Sequence, residues 1–369
     1  MGYGERKVLA LAKANVLLPT GTEWGAVLGR VPHDVFHTPE YHGLPGFGQV
    51  GQPRAFHYQE GDRDFLWPYL LTPIADAPGY HDATSAYGYP GPIGSPDPEF
   101  LAQAWSALQD HWKFQQVVSA FTRFNPLLAN FNLLAEIPAA AAGVREFGNT
   151  VSIDLTLSEE VHLQHYHKNL RQAIRKAREI GLATIEDHDW THADDFIAVY
   201  QDTMARCGSR PEYLIDRNWV NRFRQALGPA ARLFVTKLGN SVAASMIVIA
   251  YNQVVHSHLI GSAPEYAAMS PSKVMLDDLR NWGSQNGFRS MHLGGGLGGR
   301  EDALFQFKRR FSPLTHSFRT GSWILNEPIY RELEAQNHAK LAVLGIQPEQ
   351  ISYFPSYRYN PAAVSGGKG

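Results

Sequence analysis

The residues best suited to chemistry lie close together in the last quarter of the sequence. Five of the six residues from 294 to 299 are glycine, and the segment from Phe305 to Phe311 (FQFKRRF) follows them. Bare backbone in such a loop can approach a ligand closely, and the helix that starts after it would point amide groups at an anion. A cation at the mouth of this site could face a phosphate or a developing oxyanion. The alternative is an amphipathic helix that buries its phenylalanines and exposes its cations.

Three of these glycines, Gly294, Gly296 and Gly299, match the letters of the dinucleotide-binding pattern G-x-G-x-x-G. A Rossmann fingerprint lies in an early strand–helix–strand unit and has an acidic residue about 20 positions further on. Here the glycines come late, after three predicted antiparallel strands, and no acidic residue ends the strand that follows. A P-loop would need Lys-Ser or Lys-Thr after the glycines. We therefore interpret the loop as a tight turn or as a site for another kind of ligand.

A second group of candidates forms a basic stripe. His167, Arg171, Arg175 and Arg178 are spaced by four, four and three residues, so they share one face of a helix. The three arginines could follow the phosphates of a tRNA or of a nucleotide-linked acceptor. The alternative is a solvated helix face. The three histidines between 162 and 167 point in different directions on a helix, so we predict no metal site there.

Two further histidines, His256 and His258, alternate along a predicted strand. Residues two apart on a strand share one face of the sheet. One of them could act as a base near a cleft, or both could be packed inside the protein. The sequence leaves both interpretations open.

The elements that must position these residues follow from local patterns. In the first half, the sequence predicts a strand over Phe65–Ile74 that Pro68 interrupts, which is typical of an edge strand or a bulge, and a helix from Asp97 to about Val118. In the second half, it predicts a strand over 151–155, one helix from Ser158 to Gly181, a helix from 191 to 208, strands over 232–238, 241–251 and 254–261, a helix from Ser270 to about 287, a strand over 289–293, a helix over 302–310 and a strand over 314–319.

Length and composition bound the class of protein. The chain has 369 residues, of which 44% are hydrophobic and 18% charged, so two folded domains are expected. The net charge of −2 and the single cysteine, Cys207, argue against a DNA-binding protein and exclude an internal disulfide. No apolar run is long enough to span a membrane and no signal peptide is evident, so we expect a cytoplasmic protein.

The order of these motifs resembles that of the FemABX-type (FemAB-like) transferases of the GNAT acyltransferase superfamily. The resemblance rests on the antiparallel strands, the Ser270-Pro271 helix start, the glycine loop and the Phe307-Lys308 pair. In the first half it rests on the segments 87–92 (YGYPGP) and 123–128 (RFNPLL). It implies an α+β fold with two GNAT-like domains, each with a mixed, mostly antiparallel sheet flanked by helices. We expect these domains at 1–148 and 149–345, with the acyl-donor site in the second, and a tail at 346–369.

The resemblance also implies roles for individual residues. In this group a Phe-Lys pair lies beside the acyl-donor site and takes part in transition-state stabilisation, so we expect Lys308 to be catalytic. The remaining expected ligands are Phe307, Gly294, Gly295, Gly296 and Arg309 for the donor, Tyr87, Tyr89 and Arg123 for the acceptor, and Arg171, Arg175 and Arg178 for phosphates. The nearest acid after Gly91-Pro92 is Asp97, which also has the position of a helix cap. The identity of the general base therefore stays open.

Three functions are compatible with the sequence. The first is transfer of an aminoacyl group from aminoacyl-tRNA to the amine of a small or carrier-linked acceptor, without a covalent enzyme intermediate and without a cofactor. The second is N-acylation from acyl-CoA in the same cleft, although the segment from Ala263 to Pro271 lacks the CoA-binding pattern of simple GNAT enzymes. The third is a non-catalytic GNAT-like binding module.

Overall fold

A computed structural model describes residues 12–44, 50–209, 211–351 and 353–361. Its strands are β1 (Lys13–Leu17), β2 (Gln52–Glu60), β3 (Arg63–Pro73), β4 (His81–Thr84), β5 (Ile93–Gly94), β6 (Val117–Arg123), β7 (Val144–Asp154), β8 (Leu182–Glu186), β9 (Ala231–Leu238), β10 (Ser241–Tyr251), β11 (Val254–Ser262), β12 (Ser290–Gly295) and β13 (Thr315–Ile324). Its helices are α1 (Glu23–Leu28), α2 (Pro39–His42), α3 (Pro98–Phe114), α4 (Pro138–Ala141), α5 (Glu159–His165), α6 (Lys168–Glu179), α7 (Ala193–Arg206), α8 (Arg217–Leu227), α9 (Pro271–Gln285), α10 (Ala303–Arg309) and α11 (Glu327–Ala342).

These elements form two compact units. Unit 1 contains the described parts of Met1–His42, Val50–Arg145 and Thr320–Tyr359, and unit 2 is centred on Glu146–Arg319. We expected the first domain to end at 148 and the second to run to 345. The structure instead assigns Thr320–Tyr359 to unit 1, because the second half of β13 pairs with β6 and because α11 packs its Tyr330 and Leu333 against Ile74 and Val118.

The two units repeat one order of strands. In unit 1, β1 to β4 are successive antiparallel neighbours, and α3 leads to β6, which is parallel to β4. In unit 2, β8 to β11 are successive antiparallel neighbours, and α9 leads to β12, which is parallel to β11. In each unit a further antiparallel strand then pairs with the last one, namely β13 with β6 and β7 with β12. The predicted α+β fold with two GNAT-like domains is confirmed.

The parallel pair in unit 2 separates along its length. β11 and β12 pair only from Val254 to His256, opposite Ser290 to His292, whereas β11 continues to Ser262. The two strands therefore splay apart at the end where the glycine loop begins. One face of this sheet is covered by α6, α9 and α10, whose apolar side chains share a core with β7 and β10 to β12.

The core of unit 1 is built around tryptophans. Trp67 of β3 lies within 6 Å, between ring centroids, of Trp105 (5.9 Å), Trp112 (5.5 Å) and Trp323 (5.6 Å). Large aromatic side chains bury much apolar area and pack edge-to-face. The packing of these rings holds α3 and β13 against β3 and so stabilises the sheet of unit 1.

The predicted single helix from Ser158 to Gly181 is two helices, α5 and α6. The chain leaves the helical conformation at Tyr166, whose ψ is 130°. The buried phenol of Tyr166 donates to Asp277 at 2.7 Å, and its ring packs edge-on against Phe311 at 5.4 Å. A continuous helix would carry this side chain away from both partners, so tertiary packing overrides the local helical pattern.

Pro68 does not mark an edge strand or a bulge. β3 pairs with β2 through the whole region, with Pro68 opposite Ala55. On its other side, β5 pairs only with Phe65 and Leu66 and β4 pairs only from Leu70 onwards. A proline lacks the N–H that a neighbouring strand would need, and the gap between β5 and β4 removes that need inside an internal strand.

The helix start at Asp97 is confirmed, since its side chain accepts from the Phe100 amide at 2.8 Å. That helix ends at Phe114, earlier than expected, and β6 follows. Apart from the helix from Ser158 to Gly181, the expected helices of the second half are present within a few residues. The expected strands are also present, but β7 begins at Val144 rather than 151 and β13 ends at Ile324 rather than 319, and α8 and β8 were not predicted. Among the described residues, none of the helices combines the length and the apolar character needed to cross a membrane.

Candidate functional site

The glycine loop begins as a bulge at the end of β12. The register between β12 and β7 shifts between His292 and Gly294, and Gly294 has a φ of +75°. Side chains other than glycine rarely adopt that conformation. At Gly296 a Cβ atom would collide with the carbonyl of Arg300 and the carboxylate of Asp302. Glycines here let the backbone turn sharply and lie close to the start of the next helix.

Asp302 holds that helix, α10, in place. Its carboxylate accepts from the amides of Phe305 and Leu297, both at 3.0 Å. It is therefore the N-cap of α10, and it also ties the glycine loop to the helix. As a result, the side chain of Lys308, in the last turn of α10, lies next to the loop.

Lys308 is the cation of this site. Its partly buried ammonium group donates to the carbonyl of Gly295 at 2.6 Å. Burial lowers the pKa of Lys308 to about 8, and the charge of Asp302 opposes that shift. Among the described residues, no carboxylate forms an ion pair with it. An ammonium has three donors, so two remain for a ligand beside the loop.

The neighbours of Lys308 point elsewhere. Phe307 packs edge-on against Phe311, at 5.6 Å between ring centroids, and joins the core of unit 2. The guanidinium of Arg309 donates to the carbonyl of Ser312 at 2.8 Å and so closes the end of α10. Of the two cations, Lys308 and Arg309, only Lys308 has its charged group at the glycine loop.

The expected acceptor ligands form a cluster in unit 1. Tyr41 and Asp34 lie close to Tyr87, Tyr89 and Arg123. Burial is the main cause that raises the pKa of Tyr41. The nearby Tyr87, Asp34 and Tyr89 raise it further, while Arg123 lowers it. Burial and Tyr87 also raise the pKa of Tyr89. These phenols stay protonated at neutral pH and can donate hydrogen bonds. Sequence reasoning did not identify Tyr41 and Asp34, since they lie far from Tyr87 and Arg123 along the chain.

Two asparagines connect the motifs of this cluster. Asn125 donates from its side chain to the Asp34 carboxylate at 2.8 Å, and its backbone amide donates to the Asn130 side chain at 2.7 Å. Asn130 in turn donates to the carbonyls of Pro90 and Pro92, at 3.0 and 2.9 Å. The segments 87–92 and 123–128 are thus held as one structure. Asp97 remains a helix cap.

The basic stripe lines a groove of about 460 Å³ in unit 2. Arg171 donates to the carbonyl of Leu163 at 2.8 Å, and Arg175 lies 3.5 Å from Glu179. Arg178 differs from these two, because it bridges Asp277 at 2.7 Å and Asp278 at 2.5 Å. The charge of Arg178 is therefore already balanced by two carboxylates.

A buried ion pair lies under this groove. Arg280, of which 1% is exposed, donates to Asp277 at 3.0 Å and to the Tyr166 hydroxyl at 2.9 Å. Its guanidinium also reaches Glu159 at 2.8 Å. Buried charges need such partners, and this network fixes the break between α5 and α6.

The histidines of β11 are packed inside unit 2. His256 meets His292 edge-on at 5.5 Å. His258 stacks on Phe223 at 5.5 Å, and burial lowers the pKa of His258 to about 3. Their positions match the packed alternative. In the part of the chain that the structure describes, no group of three or more His, Cys, Asp or Glu residues could hold a metal ion.

Comparisons with known proteins agree with this geometry. Residues 164–309 match a family described as an acetyltransferase (GNAT) domain. The crystal structure of FemX superposes with a TM-score of 0.67 and 12% sequence identity, over 86% of this chain and 99% of that chain. The structure of L-PGS from Bacillus licheniformis gives a TM-score of 0.50 and 14% identity, over 84% and 93% of the two chains. No curated protein sequence matches this chain.

The chain has the fold of FemX, and its residues 164–309 match a GNAT acetyltransferase domain. The matched region contains the splayed strands, the basic stripe and Lys308. In this GNAT domain the segment between β11 and α9 is a 3₁₀ helix, Pro264–Met269. α9 then begins with Pro271, which has no amide hydrogen, and the Lys273 amide already donates to the Ser270 carbonyl at 3.0 Å. The start of α9 therefore offers few amides to a pyrophosphate.

The link between Asp302 and Lys308 in this GNAT domain can be tested by titration. Asp302→Asn keeps a good N-cap but removes the charge that raises the pKa of Lys308. We expect the pKa of Lys308 to fall below its value of about 8. The pH dependence of Lys308 labelling by an amine-reactive reagent, followed by mass spectrometry, measures it.

The matched control is Glu301→Gln, which removes the adjacent charge. Glu301 accepts from the Asn149 side chain at 3.2 Å and should not affect Lys308. An unchanged Lys308 pKa in Asp302→Asn would show that this carboxylate does not act on the ammonium group.

Proposed function

We propose that this protein transfers an aminoacyl group from aminoacyl-tRNA to the amine of a small or carrier-linked acceptor. The observation that carries the proposal is the ammonium group of Lys308, held at the carbonyl of Gly295 in the glycine bulge. The FemX fold supports an acyl-transfer site in this unit.

The chemistry requires few protein groups. The ester of an aminoacyl-tRNA is already activated, so the protein must orient the amine, remove a proton and stabilise the tetrahedral oxyanion. Lys308 would supply the fixed cation for the oxyanion or for the leaving ribose oxygen. No covalent enzyme intermediate and no cofactor is needed. The glycines 294–296 would let the acyl group approach the backbone.

The cluster in unit 1 would hold the acceptor. Tyr87 and Tyr89 offer phenol groups, and Arg123 offers a guanidinium that lies 5.1 Å from the ring of Phe121. Among the described residues, Arg123 has no carboxylate within ion-pair distance. It is thus suited to an anionic group on the acceptor. Asp34 is a carboxylate that could face the ammonium form of the amine.

The choice of donor rests on two features. Arg171 and Arg175 flank a groove where the phosphates of a tRNA could bind, and the start of α9 offers few amides to the pyrophosphate of a CoA. A tRNA donor implies a cytoplasmic location. The second candidate is N-acylation from acyl-CoA, which is favoured by the match to an acetyltransferase domain. A protein that binds neither donor would be the non-catalytic module.

Arg171 and Arg175 can be tested through the salt dependence of binding. In the double variant Arg171→Ala/Arg175→Ala, uncharged tRNA should bind more weakly. The slope of log affinity against log salt should become shallower, by roughly one unit for each lost phosphate contact. Filter binding across a salt series measures both quantities.

Arg178→Ala is the matched control for this series. Because Asp277 and Asp278 already balance Arg178, its loss should leave the salt slope close to that of the wild type. A double variant with the wild-type slope would show that the stripe is a solvated face.

The reaction itself is tested by supplying the two donors in parallel. The wild type is incubated with total tRNA charged with labelled amino acids, or with acetyl-CoA, and with Nα-acetyl-lysine amide as the amine probe. We expect alkali-stable amide only from charged tRNA. Lys308→Ala should lower kcat by ~10²–10³-fold with a smaller change in KM, and exposed Lys113→Ala should have no effect.

Lys308→Arg separates charge from geometry. It should restore activity only in part, because a planar guanidinium does not replace a point charge. Wild-type activity should fall as pH rises through about 8, because Lys308 then loses its proton. Arginine does not titrate in this range, so that fall should be absent in Lys308→Arg. Near-normal turnover of Lys308→Ala would contradict the assignment.

A further inference from the structure

A serine and a histidine face each other next to the glycine bulge, and neither was singled out by the sequence. Ser152 lies on β7 and His316 on β13, 164 positions apart, with 2.7 Å between Ser152 Oγ and His316 Nε2. The two strands are paired at this point, since the Ser152 amide donates to the Leu314 carbonyl at 3.2 Å. Ser152 is fully buried, whereas His316 is half-buried. The serine can therefore orient the ring, and the ring can reach a ligand.

The strand register places this pair beside the Lys308 site. On β7, Thr150 lies opposite Gly295, whose carbonyl accepts from Lys308, and Ser152 lies opposite His292. Two residues along a strand span roughly 7 Å and share one face. His316 thus contacts β7 two positions away from the residue that lies opposite Gly295, whose carbonyl accepts from Lys308.

Thr150 shares that face with Ser152. Its hydroxyl is buried and, among the described residues, has no hydrogen-bond partner. A buried hydroxyl without a partner costs free energy.

We propose that His316 is the general base that deprotonates the acceptor amine, and that Ser152 is its positioning residue. This inference rests on the proposed function and fills the role for which the sequence offered no carboxylate. In the neutral ring, Nε2–H donates to Ser152 Oγ. The lone pair of Nδ1 then accepts a proton, because the bond made by one ring nitrogen fixes the tautomer.

The proton balance of the step is complete. The amine nitrogen forms a bond to the ester carbonyl carbon, and the carbon–oxygen bond to the ribose breaks. One amine proton passes to His316 Nδ1 and then to the leaving ribose oxygen. Lys308 stays protonated and stabilises the oxyanion. The products are an amide and a free ribose hydroxyl, and His316 returns to its neutral form.

Burial lowers the pKa of His316 below its usual 6.5, which keeps the ring neutral at pH 7. The titratable residues at neighbouring strand positions are His292, opposite Ser152 on β12, and Asp154, two residues along β7. Activity should therefore rise with pH through the His316 pKa. Together with the fall near pH 8, this gives a bell-shaped profile.

The discriminating variant is His316→Gln, whose side-chain amide can still donate to Ser152 but cannot act as a base. With charged tRNA and Nα-acetyl-lysine amide, we expect kcat to drop by ~10²–10⁴-fold, with little change in KM or Tm. The rising limb of the pH profile should disappear. Ser152→Ala should move that limb and lower kcat less. His188→Gln, an exposed histidine of the same unit, is the control.

An independent readout is the tautomer of His316 in ¹⁵N-histidine-labelled protein, assigned by comparison with His316→Gln. We expect Nε2–H at pH 7, and an Nδ1–H tautomer would overturn the base assignment. An active wild type with an equally active His316→Gln would overturn it as well. A wild type that transfers from neither charged tRNA nor acetyl-CoA would contradict the proposed function itself.

Discussion

The hydrogen bond from the Lys308 ammonium to the Gly295 carbonyl depends on two structural features of unit 2. It requires the bulge at Gly294, which turns the backbone at the end of β12. It also requires the N-cap at Asp302, which fixes the start of α10 so that Lys308, on this helix, lies next to the loop. The same carboxylate moderates the effect of burial on the Lys308 pKa. The cation is therefore fixed in place before any substrate binds, which is the condition under which electrostatic stabilisation is most effective.

The two units repeat one strand order but carry different polar side chains. In unit 2 the splayed parallel strands end at a glycine loop with a cation, and β7 and β13 bring Ser152 and His316 together beside His292 of β12. In unit 1 the corresponding order carries phenols, Arg123 and the buried Asp34 instead. One fold has thus been given two sets of polar residues, as expected when function lies in side chains placed on a shared scaffold. The proposed division is donor chemistry in unit 2 and acceptor binding in unit 1.

Local signals predicted the parts of this structure that local interactions decide. The strands β9 to β11 lie within a residue of their expected bounds, and Asp97 and Asp302 cap helices that were expected to begin at them. Prediction was wrong where distant packing decides. Tyr166 breaks a helical pattern to reach Asp277, and the gap between β4 and β5 allows Pro68 inside a sheet. Asp34 and His316 were missed because each meets its partners only after strands far apart in the chain have paired.

We propose that the donor carbonyl binds at the Lys308 ammonium beside the glycine bulge. The most direct measurement is a crystal structure of the protein with an amide analogue of the charged tRNA end, an adenosine whose 3′-amino group carries an amino acid. We expect the analogue's carbonyl oxygen within hydrogen-bond distance of Lys308 Nζ. An analogue bound with its carbonyl out of reach of Lys308, or acetyl-CoA occupying this position while the analogue does not bind, would contradict it.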